Sequence, residues 1–112
     1  MDISASELDA RMKRGENLVL FDVRQPHERT FCKIATPDTI VDLFIPMADV
    51  PARLEELRGL VESRSIYVYC HHGVRSRMVA DWLSAQGLAN VFNLAGGIDH
   101  WSDVIDPTVA KY

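Results

Sequence analysis

Short apolar runs alternate with stretches of helical periodicity along this chain, and that alternation limits the fold more than any other feature. Leu18-Val19-Leu20-Phe21 is a continuous apolar run of strand length, of the kind buried on both faces in a parallel sheet. Ile40-Val41 and Leu43-Phe44-Ile45 make a second strand, stopped by Pro46. Ile66-Tyr67-Val68-Tyr69 is β-branched and aromatic throughout and is the strongest strand signal. Val91-Phe92-Asn93-Leu94 is a further strand. Strand and helix in alternation predict an α/β fold with a mostly parallel sheet and helices on both faces. Ligands in such folds bind beyond the carboxyl ends of the strands. Asp22 and the segment that begins at Cys70 both fall there.

Caps and spacing place the helices. Ser4-Ala5-Ser6-Glu7 has capping-box spacing, and Leu8 and Met12 recur at helical distance. A short helix is predicted over residues 4–14, ended by Gly15. Residues 25–39 are polar, contain Pro26 and Pro37, and read as a long loop with one helical turn. Pro51 suits a first helical turn, and Leu54, Leu57 and Val61 continue that helix, with Gly59 near its end. Met78, Val79, Trp82 and Leu83 form one apolar stripe, expected in the core, and Gly87 closes their helix. Gly96-Gly97 turns the chain into a short helix around Ile98 and Trp101, with Trp101 packed onto the sheet. Asp106-Pro107 opens a tail.

At 112 residues the chain reads as a single domain over residues 1–112. With 47% apolar residues it can build a core without disulfides or a structural metal. A net charge of -4 argues against a nucleic-acid duplex or an anionic membrane as main partner, because both require a basic field. No apolar run approaches the ~20 residues of a membrane helix, and the first residues lack the layout of a secretory signal. A soluble cytoplasmic protein is expected. Cys32 and Cys70 lie far apart without a Cys-x-x-Cys, so they are expected to be free thiols. Neither a metal nor a cofactor is expected: adjacent loop residues such as His71 and His72 rarely point at one metal.

The chemistry is concentrated in Cys70-His71-His72-Gly73-Val74-Arg75-Ser76, between the strongest strand and a strong helix. A cysteine here lies at the bottom of a loop that opens onto a helix N-terminus. Unpaired main-chain N–H groups and the helix dipole both favour a thiolate over a thiol there. Gly73 lets the loop curl with its amides inward. Arg75 supplies a permanent cation suited to a small oxyanion, and His71 and His72 add donors. The alternative for Cys70 alone is a small buried apolar residue.

These residues carry a family resemblance. Tyr69-Cys70-His71-His72-Gly73-Val74-Arg75-Ser76, followed by Gly87, Val91, Leu94, Gly96-Gly97-Ile98 and Trp101, resembles the second half of a rhodanese-like domain of the thiosulfate sulfurtransferase family. Asp22-Val23-Arg24-Gln25-Pro26-His27-Glu28 resembles the family's first-half motif, and Ile45-Pro46 its mid-domain turn. Where the family often has Gly-His-Ile, this chain has Cys32-Lys33-Ile34. The resemblance implies a five-stranded parallel sheet, a persulfide carried on Cys70, and a pocket shaped by His71, His72, Gly73, Val74, Arg75 and Ser76.

The expected function is therefore transfer of a sulfane sulfur from a donor such as thiosulfate to cyanide, a thiol or a carrier protein. His71 and His72 orient the donor or shape the loop, or simply face solvent. Arg24 reads as a brace for its loop, Asp22 as either a strand-end cap or a supporting group, and Glu28 as structural. Cys32 reads as a tolerated semi-buried residue, with disulfide formation to Cys70 as its alternative. Two rival functions remain open. A phosphatase or arsenate reductase also uses a thiolate in an amide-lined loop, but its phosphate loop is Cys-x5-Arg; here the sixth position after Cys70 is Ser76, and the arginine is at the fifth. A non-catalytic docking module is the other.

Overall fold

The computed structural model describes residues 1–112. In chain order its elements are β1 (Asp2–Ile3), α1 (Ala5–Lys13), β2 (Leu18–Asp22), α2 (Pro26–Phe31), β3 (Val41–Phe44), α3 (Leu54–Leu60), β4 (Ser65–Tyr69), α4 (Val74–Ala85), β5 (Val91–Leu94) and α5 (Gly97–Val104). Two 3-10 turns, Met47–Asp49 and Pro51–Arg53, lead into α3. The five strands form one sheet in the order β1-β5-β4-β2-β3, and every neighbouring pair is parallel.

Strand position explains strand composition. β2 and β4 have a neighbour on each side, and β2 is buried at all five residues. Alternate side chains serve opposite faces, as the two-residue repeat of a strand requires. Val19, Phe21, Ile66 and Val68 pack with Leu57 of α3 and with Val79, Ala80 and Leu83 of α4. Leu18, Leu20, Tyr67 and Leu94 pack with Ala5 and Leu8 of α1 and with Ile98 and Trp101 of α5. Two half-cores thus clamp the sheet, and the ends of β2, β4 and β5 are held in one rigid edge.

Four local features differ from expectation. β1 is two residues long, too short to show any period, and is recruited by pairing Asp2 with Asn93 and Ile3 with Leu94. β3 covers only Val41–Phe44 and is half-buried along its length because it is the far edge. The segment after β2 holds six helical residues, α2, started by Pro26 and a reciprocal capping box between Gln25 and Glu28. Met78 is 60% exposed and lies outside the core. The inward stripe of α4 is Ser76, Val79, Ala80 and Leu83, at spacings of three, one and three, so Met78 and Trp82 fall on its flank. There they line an apolar groove with Met47, Ala48, Val50 and Pro51.

Candidate active site

Cys70 follows the last residue of β4, and the chain then turns through His71, His72 and Gly73 into α4. Gly73 adopts φ of 100°, a left-handed conformation that favours glycine, and it caps the helix. The turn brings main-chain donors onto the sulfur. Gly73 N–H lies 3.1 Å from Cys70 Sγ and Ser76 N–H lies 3.4 Å from it. The Ser76 hydroxyl is 3.3 Å away. Cys70 is only 1% exposed, but its sulfur meets two main-chain N–H groups as well as hydrocarbon.

Two elements support the cup from behind. Asn93 of β5 accepts a short hydrogen bond from the Ser76 hydroxyl, and its Nδ2 donates to Gly73 O and to Asp2 Oδ1. The start of α5 docks on the other side: Ile98 N–H donates to Cys70 O at 2.9 Å and Asp99 N–H to His71 O at 3.0 Å. Gly97 makes that approach possible, because a Cβ there would meet the carbonyls of both Cys70 and His71.

Arg75 does not present a free cation. It makes two hydrogen bonds to Glu28, at 2.7 and 2.9 Å. Arg75 holds the Glu28 carboxyl well below the usual carboxylate range. Glu28 is thus structural as expected, and its task is to join α2 to the loop. Tyr112 donates its hydroxyl hydrogen to Glu28 at 2.7 Å and accepts one from Arg24 at 3.0 Å. Burial pushes the Tyr112 hydroxyl up to about 12.

Asp22 and Arg24 form a fully buried pair, which Tyr112 links to Glu28. Arg24 donates from Nε and NH2 to the two Asp22 oxygens, both at 2.9 Å, and from NH2 to Cys32 O. Burial opposes the Arg24 charge, but hydrogen bonds to Asp22 and Tyr112 outweigh it and raise its affinity for the proton. Both residues brace the β2–α2 connection, and neither hydrogen-bonds Cys70. The Cys32-Lys33-Ile34 variation is accommodated in the same way: Cys32 N–H caps α2 through Glu28 O, and Ile34 is buried. Cys32 is half-buried, and both cysteines are free thiols.

His71 is half-buried and stacks at 3.8 Å on both His72 and Tyr112. Burial pulls its imidazole below the ordinary value, helped by the neighbouring His72. His72 and Val74 are exposed. The ligand atoms of His71, His72 and Asp99 lie within 4.8 Å of one another, a grouping invisible in the loop sequence alone. The two imidazoles are face to face, so their in-plane lone pairs do not converge, and Asp99 is paired with Lys111 at 2.9 Å. Of the predicted residues the structure therefore gathers Cys70, Gly73 and Ser76 around one sulfur. It stacks His71 between His72 and Tyr112, turns Arg75 to α2, and leaves Asp22 and Arg24 as a brace. Asn93 and Tyr112 escaped the sequence analysis. Asn93 did carry a signal, as the polar member of an otherwise apolar strand; Tyr112 carried none.

A profile of the rhodanese-like domain matches residues 4–104. The chain belongs to the rhodanese-like domain family. This rhodanese-like domain is 33% identical over 109 residues to a sulfurtransferase of Allochromatium vinosum, covering 97% of this chain and 94% of that protein. It is 32% identical over 101 residues to a putative sulfur carrier protein, YrkF, of Bacillus subtilis, covering 90% of this chain but only 50% of that one. The crystal structure of a rhodanese-related protein from Thermoplasma volcanium superposes with a TM-score of 0.78 at 29% identity, covering 99% of this chain and 98% of the other. Fold and family therefore agree with the five-stranded parallel architecture.

Proposed function

We propose that this rhodanese-like domain is a sulfurtransferase that carries a sulfane sulfur on Cys70. The observation that carries the proposal is the pair of main-chain N–H groups, from Gly73 and Ser76, aimed at Cys70 Sγ. The Cys70 thiolate attacks the outer sulfur of a donor such as thiosulfate. The S–S bond of the donor breaks, its electron pair leaves with sulfite, and a Cys70 persulfide remains. An acceptor nucleophile then takes the outer sulfur and returns the thiolate. Cyanide does this as thiocyanate; a thiol or a sulfur-carrier protein is the acceptor whose chemistry fits a cell. Each half-reaction is a displacement at sulfur, so an ionised thiol needs no general base. The inward amides stabilise the negative sulfur before and after transfer. His71 and His72, whose rings stack on one another in the loop, orient the donor in this reading, and exposed Val74 lies at the start of α4.

The Arg75–Glu28 pair changes the role given to Arg75. Its charge is already compensated, so it shapes the loop first and meets a donor oxyanion only at its outer edge. This also weighs against a phosphatase, whose loop needs an arginine directed at a tetrahedral anion. No helix is long and apolar enough to cross a membrane; we place the domain's activity in the cytoplasm, with small sulfur compounds or a thiol protein as partners.

Intact mass spectrometry before and after incubation with thiosulfate tests the proposal. Wild type is expected to gain one sulfur atom, with release of sulfite, and to lose it to cyanide as thiocyanate. Cys70→Ser is expected to gain none. No sulfur gain from thiosulfate or from persulfide donors would turn the reading toward a docking module. Turnover of a phenyl phosphate, abolished by Cys70→Ser, would turn it toward a phosphatase.

A further inference from the structure

The hydrogen bonds behind Cys70 form a chain with a fixed polarity. Asn93 is 97% buried on β5, and its Nδ2 lies 3.1 Å from Asp2 Oδ1 and 3.3 Å from Gly73 O. Neither partner carries a hydrogen, so turning the amide over would set its oxygen against a carboxylate and a carbonyl. The amide is pinned with Oδ1 toward Ser76. That oxygen also carries no hydrogen, so its short contact with Ser76 Oγ takes the single hydroxyl hydrogen of Ser76. Ser76 Oγ is left facing the sulfur at 3.3 Å with lone pairs alone. The hydrogen between them is the one on the thiol. When Cys70 ionises, two lone-pair-bearing atoms confront each other unless the Ser76 hydrogen swings from Asn93 to sulfur.

We propose that Asn93, pinned by Asp2, is a positioning residue that withholds the Ser76 hydroxyl hydrogen from Cys70 and so sets how readily the sulfur becomes an anion. The proposal concerns the thiol that the sulfurtransferase reading uses, but it does not require that sulfur be transferred. The sulfur's other hydrogen-bond partners, Gly73 N–H and Ser76 N–H, serve it in either state. The charged and titratable groups around the loop are His71 and His72 within it, Arg75 of α4 paired with Glu28 of α2, Asp99 of α5 paired with Lys111, Tyr112 from the tail, and Asp2 of β1 paired with Arg77 of α4. None of these side chains hydrogen-bonds the sulfur, so the Ser76 hydroxyl is the one side-chain switch in contact with it.

The test is the ultraviolet absorbance of the thiolate against pH, on a Cys32→Ser background so that Cys70 alone reports, with folding followed by circular dichroism. Asn93→Ala frees the Ser76 hydrogen for the sulfur. Its thiol titration is expected to move to lower pH by about one unit, the scale of one hydrogen bond to a charged group. Adding Ser76→Ala is expected to reverse most of that shift. Asp2→Ala, at an exposed position, unpins the amide and is expected to move the midpoint the same way by less; it carries the test should Asn93→Ala not fold. Midpoints unchanged or raised in Asp2→Ala and Asn93→Ala would overturn the proposal. So would an Asn93→Ala shift that survives the added Ser76→Ala. Sulfur uptake from thiosulfate, measured in parallel, separates the two claims: these shifts without uptake sink the transferase reading alone, and uptake without these shifts sinks this one alone.

Discussion

At the scale of single residues, the Cys70 sulfur is contacted from its own stretch of chain and supported from behind by Asn93 and by the start of α5. Cys70 and Gly73 lie in the turn between β4 and α4, and Ser76 in the first turn of α4, so their meeting follows from local geometry. Gly97 is the opposite case. The sequence marks it, with Gly96, as a turn into α5, but its neighbours in space are the carbonyls of Cys70 and His71. With φ of 62° and an added Cβ 2.6 Å from Cys70 O, Gly97→Ala combines backbone strain with overpacking. It is expected to lower stability by about 2–3 kcal/mol in urea titration. It should also lower the rate of sulfur uptake in a folded population, because the displaced carbonyls shift the cup. Asn93 could be suspected from its polarity within β5, but the direction of its hydrogen bonds depends on Asp2, which lies ninety-one positions earlier.

At the scale of elements, α2 is the connection that turns a loop into part of the site. It is six residues long, too short to stand alone, and relies on its cap and its contacts. Glu28 supplies both: it accepts from Gln25 N–H at 3.0 Å and holds Arg75 of α4. The folded protein therefore binds a proton at Glu28 less readily than the unfolded chain does. This contribution to stability is fully present above the ordinary value of 4.5 and is lost as pH falls below it toward the depressed one. Glu28→Gln is expected to cost about 2 kcal/mol at neutral pH and to flatten the acid limb of the stability profile. Urea midpoints at neutral and acid pH check both. The notional single turn in the sequence became α2 because Pro26, Gln25 and Glu28 together favour a helix start, a pattern that could have been seen. That the same carboxylate would clasp Arg75 could not, since the pairing spans forty-seven positions.

At the scale of the whole molecule, two half-cores share one sheet. Leu8 of α1 and Leu57 of α3 are fully buried on opposite faces. Leu8→Ala and Leu57→Ala are each expected to cost about 2–5 kcal/mol. Because the sheet separates them, the double variant should lose the sum to within about half a kcal/mol, a comparison that urea titrations of the two single variants and the double one can make. The sequence by itself determined the α/β class, the strands β2 to β5 and the run of residues that makes the Cys70 turn. Each of these follows from periodicity or from residues adjacent along the chain, where the backbone itself sets the distances. Only the tertiary structure decided that β1 joins the sheet, that Met78 lies outside the core, that Arg75 answers to Glu28, and that Asn93 stands between Asp2 and the thiol. Those outcomes depend on which distant segments compete for the same space and the same hydrogens, and no local pattern records the result of that competition.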